Sequence, residues 1–136
     1  MALAIHHLAL RTKNVEKLAL FYGGVLGLRE SDRHADEAGI RSIWFELSGG
    51  AILMLERLED GMSADLQFRE PHEGWDFLAL ALPGASSWPH WRETLLQNGV
   101  ILEGLTRCTA YFRDTDGNRI GLSSYPEPLP LSVEGV

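Results

Sequence analysis

The chain has 136 residues, 45 % of them hydrophobic and 23 % charged, which excludes a disordered composition and suffices to bury roughly two-thirds of the unfolded surface without disulfide staples. Twelve Lys and Arg against nineteen Asp and Glu leave a net charge of −7, so no basic footprint draws it to nucleic acid or anionic lipid. The single cysteine, Cys108, agrees with a reducing compartment; no run reaches the roughly 18 apolar residues of a membrane span, and the opening residues lack a basic-then-apolar leader, so a soluble cytoplasmic protein is expected.

A β-prone run near 3–11, containing Leu8-Ala9-Leu10, leads into a predicted helix over 14–26. Asn14 is a good N-cap, Val15, Leu18, Phe21, Tyr22 and Val25 recur at helical spacing, and glycines ending at Gly27 stop it. Strands follow near 28–31, 40–47 and 51–56, the last two joined by the hairpin connection Ser48-Gly49-Gly50. Residues 57–74 are polar, with Gly61, Pro71 and several acids, and read as a crossover linker.

The pattern then starts again. A strand over 75–82 carries Leu78-Ala79-Leu80, the first run repeated at an offset of 70. A helix over 86–98 has Pro89 in its first turn, Trp88, Trp91, Leu95 and Leu96 as its apolar residues, and Asn98-Gly99 as its stop. Strands near 100–106, 108–113 and 118–123 complete the set, the last two joined by Asp114-Thr115-Asp116-Gly117-Asn118, and 126–136 form an irregular tail. The closing hairpins, Phe45 to Leu55 and Phe112 to Leu122, align at an offset of 67. Each half, about 3–56 and about 75–125, is therefore a βαβββ module, too small to be stable alone, so residues 1–136 form a single α+β domain of two modules.

Three stretches, Ile5-His6-His7-Leu8-Ala9-Leu10-Arg11, then Phe21-Tyr22 ahead of Val25-Leu26-Gly27-Leu28, then Phe112-Arg113-Asp114-Thr115-Asp116-Gly117-Asn118, together resemble the vicinal oxygen chelate superfamily of glyoxalases, bleomycin-resistance proteins, fosfomycin-resistance enzymes and extradiol dioxygenases. The resemblance covers about 3–125. It implies that the modules form a cupped mixed sheet around one cavity, commonly in a homodimer. It also implies a divalent metal in the cup, held by one ligand from the first strand and one from the last strand of each module. The first such ligand falls on His7, and the offset of 70 carries it to Phe77. The closing-strand glutamates fall on Met54 and Gly121, which the offset of 67 maps onto each other.

A thioether, a phenyl ring and a hydrogen atom give a hard divalent ion nothing to bind, and a lone imidazole does not offset its dehydration. The expected member of the superfamily is thus one without a metal cofactor. A one-residue slip would bring in Asp76, but Leu78-Ala79-Leu80 matches Leu8-Ala9-Leu10 letter for letter and holds the register at Phe77. Glu56 lies two residues beyond Met54, on the same strand face, and with His7 makes a weak two-ligand alternative for a divalent metal. His6 is expected on the opposite side of the strand from His7, while His34, His72 and His90 fall in polar loop or helix surroundings and read as structural or exposed.

No glycine-rich phosphate loop with lysine and no Gly-x-Ser-x-Gly elbow is present. Asp114, Asp116 and Gly117 are turn chemistry. The third strands place Trp44 and Tyr111 opposite Met54 and Gly121, although a slip in the hairpin would exchange Trp44 for Phe45. His7, Trp44, Met54, Glu56, Phe77, Tyr111, Arg113 and Gly121 then line a hydrophobic ligand cavity, with Gly121 enlarging it; the alternative is that the aromatic and thioether groups fill the cup as core. The expected function is binding and sequestration of an aromatic or hydrophobic small molecule, with no nucleic acid or membrane partner. The alternative is a superfamily enzyme, a metal-dependent lyase or dioxygenase or a cofactor-free isomerase, using His7 with Glu56 or Tyr111.

Overall fold

The computed structural model describes residues 2–59 and 73–130. Two compact units, Met1–Arg69 and Glu70–Val136, each contain one module. The first comprises β1 (His7–Thr12), α1 (Val15–Ala19) running on into a wider π-helical segment (Leu20–Val25), β2 (Glu30–Asp36), β3 (Gly39–Glu46) and β4 (Ile52–Arg57). Its sheet has the order β1-β4-β3-β2, with β1 parallel to β4 and the other pairs antiparallel. The second comprises β5 (Leu78–Ala81), α2 (Trp88–Gln97), β6 (Gly104–Leu105), β7 (Thr109–Arg113) and β8 (Arg119–Ser123), in the order β5-β8-β7-β6 with β5 parallel to β8. Both βαβββ readings therefore hold. None of the helices among the described residues is long and apolar enough to cross a membrane.

The helix boundaries follow local chemistry. Asn14 Oδ1 accepts from the Lys17 amide at 3.0 Å, satisfying one of the donors that a helix start leaves unpaired. Beyond Ala19 the turn widens, and the Leu26 amide donates to the Phe21 carbonyl at 3.0 Å. Each such turn takes an extra residue, so the inward stripe slips and Leu26 is buried where Val25 was expected. Gly23 makes this segment possible, because a Cβ there would lie 3.1 Å from the buried Phe45 ring. In α2 the Gly99 amide donates to Leu96 and the Val100 amide to Leu95, with Gly99 at φ +72°, a Schellman stop. Leu95 is buried and Leu96, roughly 100° further round the helix, is exposed.

Several strand limits move as well. The opening strand starts at His7 and the fifth at Leu78, so Phe77 stands just outside β5; the expected 100–106 strand shrinks to Gly104–Leu105, and the expected 28–31 strand becomes Glu30–Asp36. Propensity marks where a strand fits, whereas its ends depend on where a partner strand is available. The tail is partly tied down: Leu129 is buried and its amide donates to the Arg107 carbonyl at 2.8 Å. Most of the linker, residues 60–72 with His72 among them, and 131–136 lie outside the described residues.

Strand alternation produces one strongly buried face per sheet. Leu53 and Leu55 of β4 with Ile43 and Phe45 of β3 form it in the first module, where α1 packs on β3 and β4. Ala110, Phe112, Ile120 and Leu122 form it in the second. At the end of the first sheet, Arg57 Nη1 and Nη2 donate to Asp36 Oδ1 and Oδ2 at 3.0 and 2.5 Å. That hydrogen-bonded guanidinium, with the Ala38 amide, lowers the Asp36 carboxyl from 3.8 to about 2. A depressed folded-state pKa contributes stability above the unfolded value and loses it as pH falls through the folded one. The melting-temperature gap between the native chain and Asp36→Asn should therefore be constant at neutral pH, shrink below about pH 4 and vanish near pH 2.

Candidate functional site

The second face of each sheet carries the residues singled out from the sequence, and the register sorts them into rows. In the first module one row runs Ala9, Met54, Trp44, Asp32 across β1, β4, β3 and β2. The next runs Arg11, Glu56, Ser42, His34, and the row on the other side holds His7, Ile52 and Glu46. In the second module Ala79, Gly121 and Tyr111 form the row equivalent to Ala9, Met54 and Trp44, with Arg119 opposite Arg113 in the adjacent row. Offsets of 70 in the first strands and 67 in the hairpins thus superpose one ladder on the other, as Ala9 pairs with Met54 and Ala79 with Gly121. Trp44, not Phe45, shares the face of Met54; Phe45 is buried on the other side.

His7 is exposed, and its Nδ1 lies 2.9 Å from Nδ1 of His6. His6 precedes β1 and meets His7 ring to ring, so it is not turned toward the helix side as strand alternation had implied. Glu56 sits four residues along the ladder from the level of His7, roughly 13 Å at strand rise, which is too far for both to hold one ion. Among the described residues no three of His, Cys, Asp or Glu converge as a metal site. His7 with Met54, Phe77 and Gly121 is likewise a donor set that does not fit a divalent ion.

The positions at Phe77 and Gly121 are built into something else. A Cβ on Gly121 would lie 3.1 Å from Thr109 Cγ2 and 3.3 Å from Tyr111 Cε1, so the Tyr111 ring rests on the glycine backbone. Gly121 therefore does not enlarge a cavity; it makes room for Tyr111, a cross-strand aromatic covering a strand glycine. Phe77 meets Tyr111 edge to face at 4.9 Å, and the Arg119 guanidinium lies 4.4 Å from the Tyr111 ring centre and 5.4 Å from that of Phe77. Arg119 Nη1 donates to Asp76 Oδ1 at 3.0 Å, so the carboxylate considered as a substitute ligand is engaged by a cation of its own module. Arg113 Nε lies 3.1 Å from both Glu103 carboxylate oxygens. Asp114 accepts from the Asp116 and Asn118 amides, both at 2.9 Å, which makes the closing loop a turn and not a cation loop.

His34, expected in a polar loop, is part of this face. It stands on β2, its ring 4.9 Å from that of Trp44, with Nε2 at 3.2 Å from Asp32 Oδ2, an ion-pair distance without hydrogen-bond alignment. The buried Trp44 Nε1 has no hydrogen-bond partner among the described residues. Period-two counting would have found both groups: Asp32 and His34 are two apart, as are Arg119 and Gly121.

An α+β chain of two βαβββ modules, each closing its first strand in parallel on its last, defines a class of folds, and the comparisons identify the family within it. Residues 4–122 match the Glyoxalase/Bleomycin resistance protein/Dioxygenase superfamily, and the chain belongs to it. A glyoxalase/dioxygenase from Nostoc punctiforme is similar in structure at 23 % identity and a TM-score of 0.74, over 91 % of this chain and 92 % of that one. The fosfomycin resistance protein FosX from Mesorhizobium loti gives 15 % and 0.67, over 91 % and 93 %. A lactoylglutathione lyase from Agrobacterium tumefaciens gives 20 % and 0.64, over 88 % and 92 %. At these identities the likeness shows the fold alone. No curated protein matches the sequence.

If Gly121 is the seat of Tyr111, restoring a glutamate there is costly. Gly121→Glu should destabilise the chain by about 1–3 kcal/mol through overpacking, measured by denaturant unfolding. Tyr111→Ala combined with Gly121→Glu should recover part of that loss.

Proposed function

We propose that this chain is a small-molecule-binding member of the superfamily that works without a metal ion. One observation carries the reading: where the resemblance calls for ligands, three of four positions hold Met54, Phe77 and Gly121, and the last two are taken up by an aromatic and cation stack. Loss of donors alone would leave a depleted metal site. Rebuilding the same positions with packed rings replaces a surface that polarises oxygens by one that holds carbon.

Each module is proposed to offer its own ligand-binding surface, His7, Trp44, Met54 and Glu56 in the first and Phe77, Tyr111 and Arg113 in the second. Trp44 and Met54 are cross-strand neighbours and supply flat and adaptable apolar surface, while Phe77 leaves 38 % of itself exposed. Sequestration needs no proton transfer, which suits a face whose His7 and Glu56 stand on well-separated rungs. A homodimer and a cytoplasmic location with Cys108 reduced and buried complete the proposal.

Metal analysis of protein purified without a histidine tag, followed by a thermal-shift screen with Mn, Ni, Fe and Zn, tests it. The expected result is substoichiometric metal and no metal-dependent rise in melting temperature, with a rise of several degrees for an aromatic ligand, reduced in Phe77→Asp. Stoichiometric metal lost on His7→Ala would overturn the proposal.

A further inference from the structure

Arg113 and Arg119 stand directly opposite each other across β7 and β8, on the face that carries Tyr111. Like charges at that spacing repel, and the equivalent positions of the first module, Glu46 and Ile52, carry no such pair. Each arginine has protein partners, but these use few of the five N–H donors of a guanidinium. Arg119 gives Nη1 to Asp76, and Arg113 gives Nε to Glu103 and Nη1 to the Gly117 carbonyl at 3.0 Å. Those are the hydrogen bonds the two guanidiniums make among the described residues, and the Arg119 guanidinium otherwise faces the Tyr111 and Phe77 rings. The Asp76 side chain is 71 % exposed, and ion pairs in that much water hold weakly.

The stack supplies preorganisation. Held 4.4 Å from the Tyr111 ring centre, the Arg119 guanidinium loses little freedom when an oxyanion arrives, and a planar fork matches a carboxylate or phosphonate in a two-point contact. Phe77, edge-on to Tyr111 and partly exposed, places an apolar surface beside that charge. Within the binding role proposed above, on which this rests, we infer that the ligand is a small organic acid: its oxyanion meets the Arg119 guanidinium, and its apolar body lies against Phe77 and Tyr111. The net charge of −7 would favour a cation, but the chemistry of this face is the reverse.

Calorimetric titration of the full chain at low salt, with benzoate and phenylphosphonate against benzyl alcohol and benzylamine, tests the inference. The acids should bind at least about tenfold more tightly than the alcohol, and added salt should weaken them. Arg119→Gln, folded by circular dichroism, should weaken benzoate by about tenfold or more, while Asp76→Asn should tighten it by removing a competing carboxylate. Benzyl alcohol binding as well as benzoate, benzoate affinity unchanged in Arg119→Gln or lowered in Asp76→Asn, or no binding of either acid at millimolar concentration overturns the inference. The binding role itself fails by a different result, the His7-dependent stoichiometric metal described above. If Arg119→Gln does not fold, Asp76→Asn and the comparison of benzoate with benzyl alcohol decide.

Discussion

Everything in each module hangs on the parallel pairing of its first strand with its last, β1 on β4 and β5 on β8. Parallel strands need a crossover, which here begins with α1 and its π-helical extension or with α2, and in the first module α1 packs on one side of the sheet, against β3 and β4. Since side chains alternate, the register of this one pair decides which residues go to the buried face and which to the second. A shift by one residue would send Leu53 and Leu55 out and bring Met54 in. The matching pairs Ala9 with Met54 and Ala79 with Gly121 make the two modules equivalent, rung by rung, without any appeal to a relative.

That equivalence gives the chemistry of the second faces its meaning. Equivalent positions hold unequal groups: Met54 on β4 corresponds to Gly121 on β8, and His7 at the start of β1 to Phe77 just before β5. In the second module these positions belong to a packed cluster. Glycine at 121 admits the Tyr111 ring, the ring carries Arg119, and Arg119 engages Asp76. Each step depends on the one before it, so the cluster is a cooperative unit whose members should not be expected to act additively. In the first module Trp44 is paired with Met54 and its ring lies tilted against that of His34, a more polar arrangement built on the same frame.

Much of this was legible in the chain. The offsets of 70 and 67, the N-cap at Asn14, the stop at Asn98-Gly99 and the placing of Trp44 and Tyr111 opposite Met54 and Gly121 all rest on local signals: repeat, capping and period-two alternation. What escaped were features decided by contacts far apart in sequence. The slip from Val25 to Leu26 comes from a widened helical turn closing on Phe45 at Gly23. Phe77 falling outside β5, and His34 standing on a strand and not in a loop, depend on where partner strands begin and end.

By itself the sequence determined the two βαβββ modules, the register within each, and the absence of ligating side chains at Met54, Phe77 and Gly121, because these follow from residue identity and from periodicities that operate within a few residues. Only the tertiary structure decided what surrounds these positions. Whether a glycine opens space or receives a ring, and whether Asp76 serves as a ligand or as a counter-ion, depends on side chains brought in from strands 10 to 43 residues away, Tyr111 over Gly121 and Arg119 beside Asp76. Such contacts have no local signature, since each partner would be equally at home on any solvated strand.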